Sequence, residues 1–444
     1  MAGATNVLLV IGIAYWPRPW VKITMLADLK RLWLVPAFKT LLIARIISNF
    51  GNGLGPIALA FGVLSLEDAT ASSLSIVMAA QMGPMVLFML FGGVVADRFP
   101  RAMVVGVSDV LLSAFVIANG VMLINGTATV FSLAVIAFIS GSLNALWWPA
   151  FAGLMPEIVP EEDLQSANAV VGLGVNGANI TGTVVGGILV AGIGAGWALV
   201  TDGITFLIAG LMVFTLRKYG KTREQTEDSP TVFTDLVHGW REFSSRSWVV
   251  AVVAGYAILN MIFESVFAVV GPVHAEQELG GPKPWSWILA ALSVGMLAGV
   301  LFSLKIRPKH PLVIALSAQV AVAGWILTMG VTNWVPLIMV SAFFAGIAFD
   351  FFFVLWQTAM QTNIPRESLS RVTSYDAVGS LALAPLGLIV AGPLTEKFGT
   401  STTLIAMGLL FIVILGAILA VPGVRQLEGK TAESQENQPE PLNS

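Results

Sequence analysis

Stretches of about 20 mostly apolar residues, the length a helix needs to cross a bilayer core, follow one another along the chain with short polar gaps between them. Twelve such spans are predicted, at 39–64, 73–95, 102–123, 129–151, 166–192, 197–216, 248–271, 284–304, 311–331, 335–359, 372–394 and 399–421. Glycine and proline recur inside them, as expected of membrane helices that pack closely or bend where neighbours re-satisfy the backbone. The fold class expected is an all-α membrane protein of twelve transmembrane helices.

The polar gaps alternate in character. With the N-terminus placed in the cytoplasm, all of the 23 Lys and Arg residues except Lys283, Lys397 and Arg45 fall in segments on the cytoplasmic side, which is the bias that sets membrane orientation. Lys283 and Lys397 face outside and Arg45 lies within the first span. Both termini are therefore expected to be cytoplasmic, in a cell (inner or plasma) membrane.

Landmarks recur in the same order in the two halves of the chain. Pro100-Arg101 after the second span matches Pro308-Lys309 after the eighth, Pro160-Glu-Glu-Asp-Leu164 matches Pro365-Arg-Glu-Ser-Leu369, and Gly187-Ile-Leu-Val-Ala-Gly192 matches Gly387-Leu-Ile-Val-Ala-Gly392. The nearly constant spacing implies a duplication. The expected organisation is two six-helix pseudo-repeats, 37–216 and 248–421, joined by a charged linker at 217–247. In such parallel repeats the substrate site lies between the halves near the bilayer midplane, and one half rocks against the other. Residues 422–444, rich in Glu, Gln, Pro and Ser, form a tail too polar to bury a core. Two origins fit the extension 1–36: a true start at Met25, or an interfacial helix anchored by Trp16, Trp20 and Trp33.

Composition narrows the chemistry. At 56% apolar and 11% charged residues, the chain departs far from the roughly 45–50% and roughly 25% of soluble domains. A net charge of −3 offers no basic surface for nucleic acid. The absence of cysteine removes thiolate metal sites and thiol nucleophiles, and His238, His274 and His310 stand in no metal-binding pattern. Gly172-Leu-Gly174-Val-Asn-Gly177 copies a dinucleotide-binding fingerprint in letters only, because it lies inside a span with no strand before it. Without a phosphate-binding loop the chain has no visible way to use ATP, so concentrative transport needs an ion gradient. No cofactor or metal is expected.

The most specific local signal is Gly92-Gly93-Val-Val-Ala-Asp97-Arg98-Phe-Pro-Arg101, between the second and third spans. Gly93-x-x-x-Asp97-Arg98-x-x-Arg101 resembles the signature loop of the major facilitator superfamily, with Pro100 where that pattern usually has Gly and Ala102 where it usually has a basic residue. Pro149-Ala-Phe-Ala-Gly-Leu-Met-Pro156-Glu157, Ala167-Asn168-Ala169 and Leu369-Ser-Arg371-Val are similar to the branch containing the enterobactin exporter and macrolide-efflux proteins. The resemblance covers roughly residues 36–421. It implies the major facilitator fold, with Gly93, Asp97, Arg98 and Arg101 as a conformational-switch loop whose charges bond neighbouring helix ends in one state and release them in another.

The resemblance also makes the first, fourth, seventh and tenth spans the cavity-lining helices. Those spans carry polar side chains at helical spacing: Arg45, Asn49 and Asn52; Ser140 and Asn144; Tyr256, Asn260 and Glu264; Asp350 and Gln357. A charge at the bilayer centre costs about 2.5–3.5 kcal/mol even on the lenient insertion scale. Glu264 and Asp350 are thus the leading candidates for a substrate and proton cavity, roughly 24 Å and roughly 14 Å from the cytoplasmic ends of their spans. The alternative role is an interhelical pair that holds the bundle, for which Arg45 with Asp109 is the plainest example and Asp202 another candidate. Trp147, Trp148, Phe351, Phe352, Phe353 and Trp356 suit either an aromatic wall for an apolar substrate or the lipid interface. Gly182-Thr-Val-Val-Gly186-Gly187 partly matches the family's antiporter motif, with Thr183 in place of Pro, and equally suits helix packing. The basic residue that many proton antiporters of the family carry in span four is missing.

The expected function is a proton-coupled secondary exporter of an apolar or amphipathic small molecule: a drug, secondary metabolite or siderophore. Its partners are that substrate, protons and the lipid bilayer, with no nucleic acid, and a monomer is expected. An uptake permease or uniporter is the alternative within transport. A membrane-embedded enzyme or sensor on the same fold is the more remote one, disfavoured by the lack of a catalytic constellation.

Overall fold

The computed structural model describes residues 31–160, 163–219, 240–306 and 308–429, with the backbone alone for 90–98, 148, 152, 219, 366, 367, 370 and 371. Among the described residues there are twelve helices long and apolar enough to cross a membrane, and no strand. In chain order they are α1 (Pro36–Leu64), α2 (Ala71–Arg98), α3 (Arg101–Ile124), α4 (Val130–Ala152), α5 (Leu164–Ile193), α6 (Ala195–Phe214), α7 (Ser247–Leu279), α8 (Pro282–Ser303), α9 (Pro311–Val331), α10 (Val335–Asn363), α11 (Val372–Phe398) and α12 (Thr400–Ala420). Met25, Trp16 and Trp20, most of the linker and nearly all of the tail lie outside the described residues. Trp33 is half exposed, with the Lys39 ammonium 5.9 Å from its ring centroid.

Local chemistry sets the helix ends. The Thr70 and Thr129 hydroxyls accept from the backbone N–H groups of Ser73 and Ser132 while those serines bond back, two reciprocal caps that start α2 and α4. Proline opens α1, α8, α9 and α10 within the first turn, where its missing N–H costs nothing. The turns α5–α6 and α11–α12 each hang on one glycine, Gly194 at φ 92° ψ 159° and Gly399 at φ 80° ψ 160°. That region of backbone space is essentially closed to a residue with a Cβ. The same device at equivalent places is a backbone-level sign of the pseudo-repeat.

Three spans differ from the hydropathy reading. The seventh does not stop at residue 271: α7 continues to Leu279 through two π-helical turns, Val266–Val270 and Ala275–Leu279. The first π turn directly precedes Pro272, whose ring would otherwise collide with the carbonyl four residues back. The eleventh span is preceded by a helical stretch from Arg366 and breaks at Ala382–Leu383 ahead of Pro385, which has no N–H for the Leu381 carbonyl and whose ring crowds it. The tenth extends beyond 359 to Asn363.

Helix pairing repeats between the halves. In the first half α1 packs on α5 and α6, α2 on α4, and α3 on α6; in the second, α7 packs on α11 and α12, α8 on α10, and α9 on α12. Glycines make these approaches possible. A Cβ on Gly141 would stand 1.9 Å from the Gln81 carbonyl oxygen, and one on Gly295 2.0 Å from that of Phe343. The exterior is apolar in the manner of a lipid-facing surface, with Leu87, Phe131, Val331 and Val413 among its most exposed side chains.

The halves meet mainly through α2 with α11 and α5 with α8. The contacts lie at the end away from the chain termini, here called the far end, opposite the basic end that bears Arg101, Arg217 and Arg246. Gly392 of α11 sits on Ser72 and Ser75 of α2, and Gly187 of α5 on Ser286 of α8. The Ser72 N–H donates to Glu396 at 2.8 Å. Buried apolar side chains follow the same division. One cluster joins the second half to the far-end parts of α1, α2, α4 and α6, whereas the basic-end core of the first half, built around Phe38, Leu41, Val105 and Ala150, is separate from it.

Candidate functional site

On α1, the Arg45 guanidinium lies over the rings of Trp147 and Phe151, 4.5 and 4.2 Å from their centroids, and those two rings stack on each other at 4.8 Å. A desolvated cation over aromatic faces gains about 2 kcal/mol or more. Asp109 of α3, buried, is the carboxylate that interacts electrostatically with this guanidinium. Arg45 thus joins α1 to α4 within the first half. Asn49 donates to the Arg45 carbonyl at 2.9 Å and Asn144 to the Ser140 carbonyl at 3.1 Å, the back-bonding to a residue four earlier that short polar side chains make in helices. Asn52 is exposed at the mouth of a cavity that Asn144 and Ser140 also line.

In the second half the predicted residues converge more closely. Tyr256 stacks on Phe352 at 4.2 Å, Phe352 is parallel to Trp356 at 6.2 Å, and Trp248 meets Trp356 edge-on at 5.6 Å. The Trp356 indole N–H donates to Asp376 at 3.0 Å, and the Ser380 hydroxyl donates to the other oxygen of Asp376 at 3.2 Å. Asn260 donates to the Ser380 carbonyl at 2.9 Å. Three helices, α7, α10 and α11, are tied by this network. Asp376 and Ser380 escape the sequence reading, although an ionisable residue inside a predicted span is itself the signal that points to Asp376.

Glu264 lies two residues before the first π turn of α7. It is half-buried, as are Asp350 and Gln357 of α10. Among the described residues none of the three has a hydrogen-bond or ion-pair partner. Along its helix Glu264 is roughly 26 Å from the basic end, and because α10 runs to Asn363, Asp350 is roughly 20 Å from it rather than 14. The two carboxylates therefore lie nearer to one depth than the hydropathy boundaries imply.

The side chains of Asp97 and Arg98 lie outside the described residues, as do those of Trp148 and Arg371; the backbone carrying Gly93, Asp97 and Arg98 is the last turns of α2. Arg101, at the start of α3, donates to the Gly153 carbonyl at 2.7 Å and pairs with Glu157 at 3.5 Å. Burial pushes the Glu157 carboxyl above its ordinary range, and Arg101 draws it back down. Arg31 pairs with Asp163 across the same end. Gly182 packs against Phe50 and Gly186 against Leu54 on α1, while Gly187 crosses to α8. The glycines of the partial antiporter motif are packing positions, one of them between the halves.

The family model of the Major Facilitator Superfamily matches residues 40–384. The chain belongs to that superfamily. Like other members it is a transporter rather than an enzyme. It is 28% identical over 411 residues to the multidrug efflux pump Tap of Mycolicibacterium fortuitum, covering 87% of this chain and 96% of that one. It is 24% identical over 415 residues to the enterobactin exporter EntS of Salmonella typhimurium, covering 88% and 95%. Among solved structures, an inward-facing bacterial homologue of the iron transporter ferroportin superposes with a TM-score of 0.68 at 16% identity, over 87% of this chain and all 100% of that one. An inward-facing, unoccupied bacterial homologue of the lysosomal transporter Spinster gives 0.63 at 14%, over 88% and 98%. These two likenesses are of fold.

Proposed function

We propose that this superfamily member is a proton-coupled secondary exporter of an apolar or amphipathic small molecule, working as a monomer. The observation that carries the proposal is the nearly full-length similarity to proteins named as a multidrug efflux pump and an enterobactin exporter. The ring array of Trp248, Tyr256, Phe352 and Trp356 supports an apolar or aromatic substrate: it offers π faces, and the buried Tyr256 hydroxyl, which has no partner among the described residues, supplies a polar handle. One proton crossing 100 mV is worth about 2.3 kcal/mol, roughly a fiftyfold accumulation. In a strain lacking its own pumps, expression should lower the retained amount of lipophilic substrates, and an uncoupler should restore it. Uncoupler-insensitive efflux would remove proton coupling, and net uptake would reverse the direction.

The cycle proposed is a rocking of the two halves about their interface. Closure at the far end by α2 with α11 and α5 with α8 corresponds to a state open towards the basic end, and the Lys/Arg bias supports a cytoplasmic basic end. Single cysteines introduced into this cysteine-free chain test that orientation. In intact cells an impermeant thiol reagent should label the exposed positions 276–278 and 280, whereas positions 225–235 should stay protected. Labelling at 225–235 would invert the topology.

A further inference from the structure

A second polar site lies wholly inside the first half. A cavity of about 120 Å³ is enclosed by α1, α2, α3, α4 and α6, and its polar lining is Asn52, Gln81, Asn119, Ser140, Asn144 and Asp202. Asp202, from α6, is only 4% exposed, as is Asn119. One carboxylate oxygen of Asp202 and the amide oxygen of Asn119 are buried acceptors without a partner among the described residues. Among the described residues no basic side chain lines the cavity. The α1 backbone is drawn onto the carboxylate by Gly51 and Gly55, where a Cβ would stand 2.4 and 2.5 Å from Asp202 oxygens. Pro56, also in the lining, has no N–H for the Asn52 carbonyl four residues before it. Asn144 spends an amide N–H on its own helix and keeps its oxygen as an acceptor.

We propose that this cavity binds one monovalent alkali cation, Na⁺, with Asp202 as the charged ligand and the oxygens of Asn119, Asn52, Asn144 and Gln81 around it. Three features select that ligand. A buried carboxylate without a cationic neighbour calls for a counter-charge. The lining offers oxygen donors and no histidine or sulfur, the set preferred by hard cations. It carries a single negative charge, fewer than the carboxylate-rich sites of Ca²⁺. A water needs about 10–15 Å³ of such space, so the cavity holds an ion with several waters of its shell. The exposed mouth at Asn52 gives an entry path. The proposal goes beyond proton coupling and does not depend on it, since the site belongs to one half and is distinct from Glu264 and Asp350.

Thermal unfolding of the purified full-length protein in NaCl, KCl or choline chloride, at fixed ionic strength and pH, tests it. NaCl should raise the midpoint in a saturable way that choline does not reproduce, as for any ligand that binds the folded state. Radioactive sodium should be retained and displaced by unlabelled NaCl. Asp202→Asn should lose both effects. Gln81→Ala, at the more accessible side of the cavity, should keep the fold and need on the order of tenfold more NaCl for the half-maximal shift. Identical midpoints in Na⁺ and choline overturn the proposal, as does an Na⁺ response undiminished in both variants. An equal response to KCl overturns the choice of ion, and a response to pH alone reduces the site to a protonatable carboxylate.

Discussion

Replacing Glu264 by Gln or Asp350 by Asn is expected to abolish uncoupler-sensitive accumulation in at least one of the two variants, while exchange of the same substrate down its gradient persists. Each amide imitates a permanently protonated carboxyl, which cannot take a proton from one side and release it to the other. Both residues are half-buried in helices of the second half, and neither has a partner among the described residues. They differ in this from Asp376, held by Trp356 and Ser380, and from Asp109 beside Arg45. A carboxylate kept at such depth without a bonding role, at about 2.5–3.5 kcal/mol, is the group through which an ion gradient would act on the conformational balance. The measurement is paired uphill and downhill transport in proteoliposomes over a range of pH. If both variants still pump uphill with normal pH dependence, neither carries the proton, and the site must be sought at Asp109 or Asp202 or proton coupling given up.

Gly392→Leu and Gly187→Leu are each expected to reduce transport roughly ten- to a hundredfold in a protein that still folds. A Cβ on Gly392 would stand 2.5 Å from the Ser72 Cα, and one on Gly187 2.1 Å from the Ser286 hydroxyl and 2.9 Å from the Pro282 carbonyl. Overpacking of this kind costs about 1–3 kcal/mol. Here it burdens only the state in which the far end is shut, and 1.4 kcal/mol is a factor of about ten. Within-half pairings such as α3 with α6 are untouched, so expression and melting behaviour should change little. Gly416→Leu, at a position where a Cβ meets nothing, serves as the control. Labelling of a cysteine at Ser72 from the far side should rise in the glycine variants. At the other end of the interface, Asp97→Asn should depress transport with substrate binding intact, as a shift in the balance of states. Normal transport by Gly392→Leu would show that the far end need not close as described.

The number and order of the helices were legible because bilayer thickness imposes a length on every span, and a running average of hydropathy measures length. The same average is blind to direction around a helix. The family likeness placed Arg45, Asn49 and Asn144 on cavity-lining helices; the guanidinium is turned to Trp147 and Phe151, and each amide N–H bonds back to its own helix, while Asn144 still lines the cavity of the first half. The end of α7 was placed too early, at residue 271, because the polar residues His274, Glu276 and Glu278 end the apolar run there, whereas the chain stays helical to Leu279. Asp376 went unseen because it lies in the most polar stretch of its span. Its meaning depends on Trp356 of another helix, a contact that spacing along one segment cannot reveal.

The two π turns give α7 a reserve of chain. Each holds one residue more than an α-helical turn of the same height, so tightening one of them into α geometry would carry every later side chain about 100° around the axis. Val269, Gly271 and Val273 would then present another face to α1, α2 and α8, and the far-end seal would be recut without unwinding the helix or moving its basic-end anchor at Trp248. A uniformly α-helical rod such as α3 has no such slack. It can only tilt as a body, whereas α7 can screw.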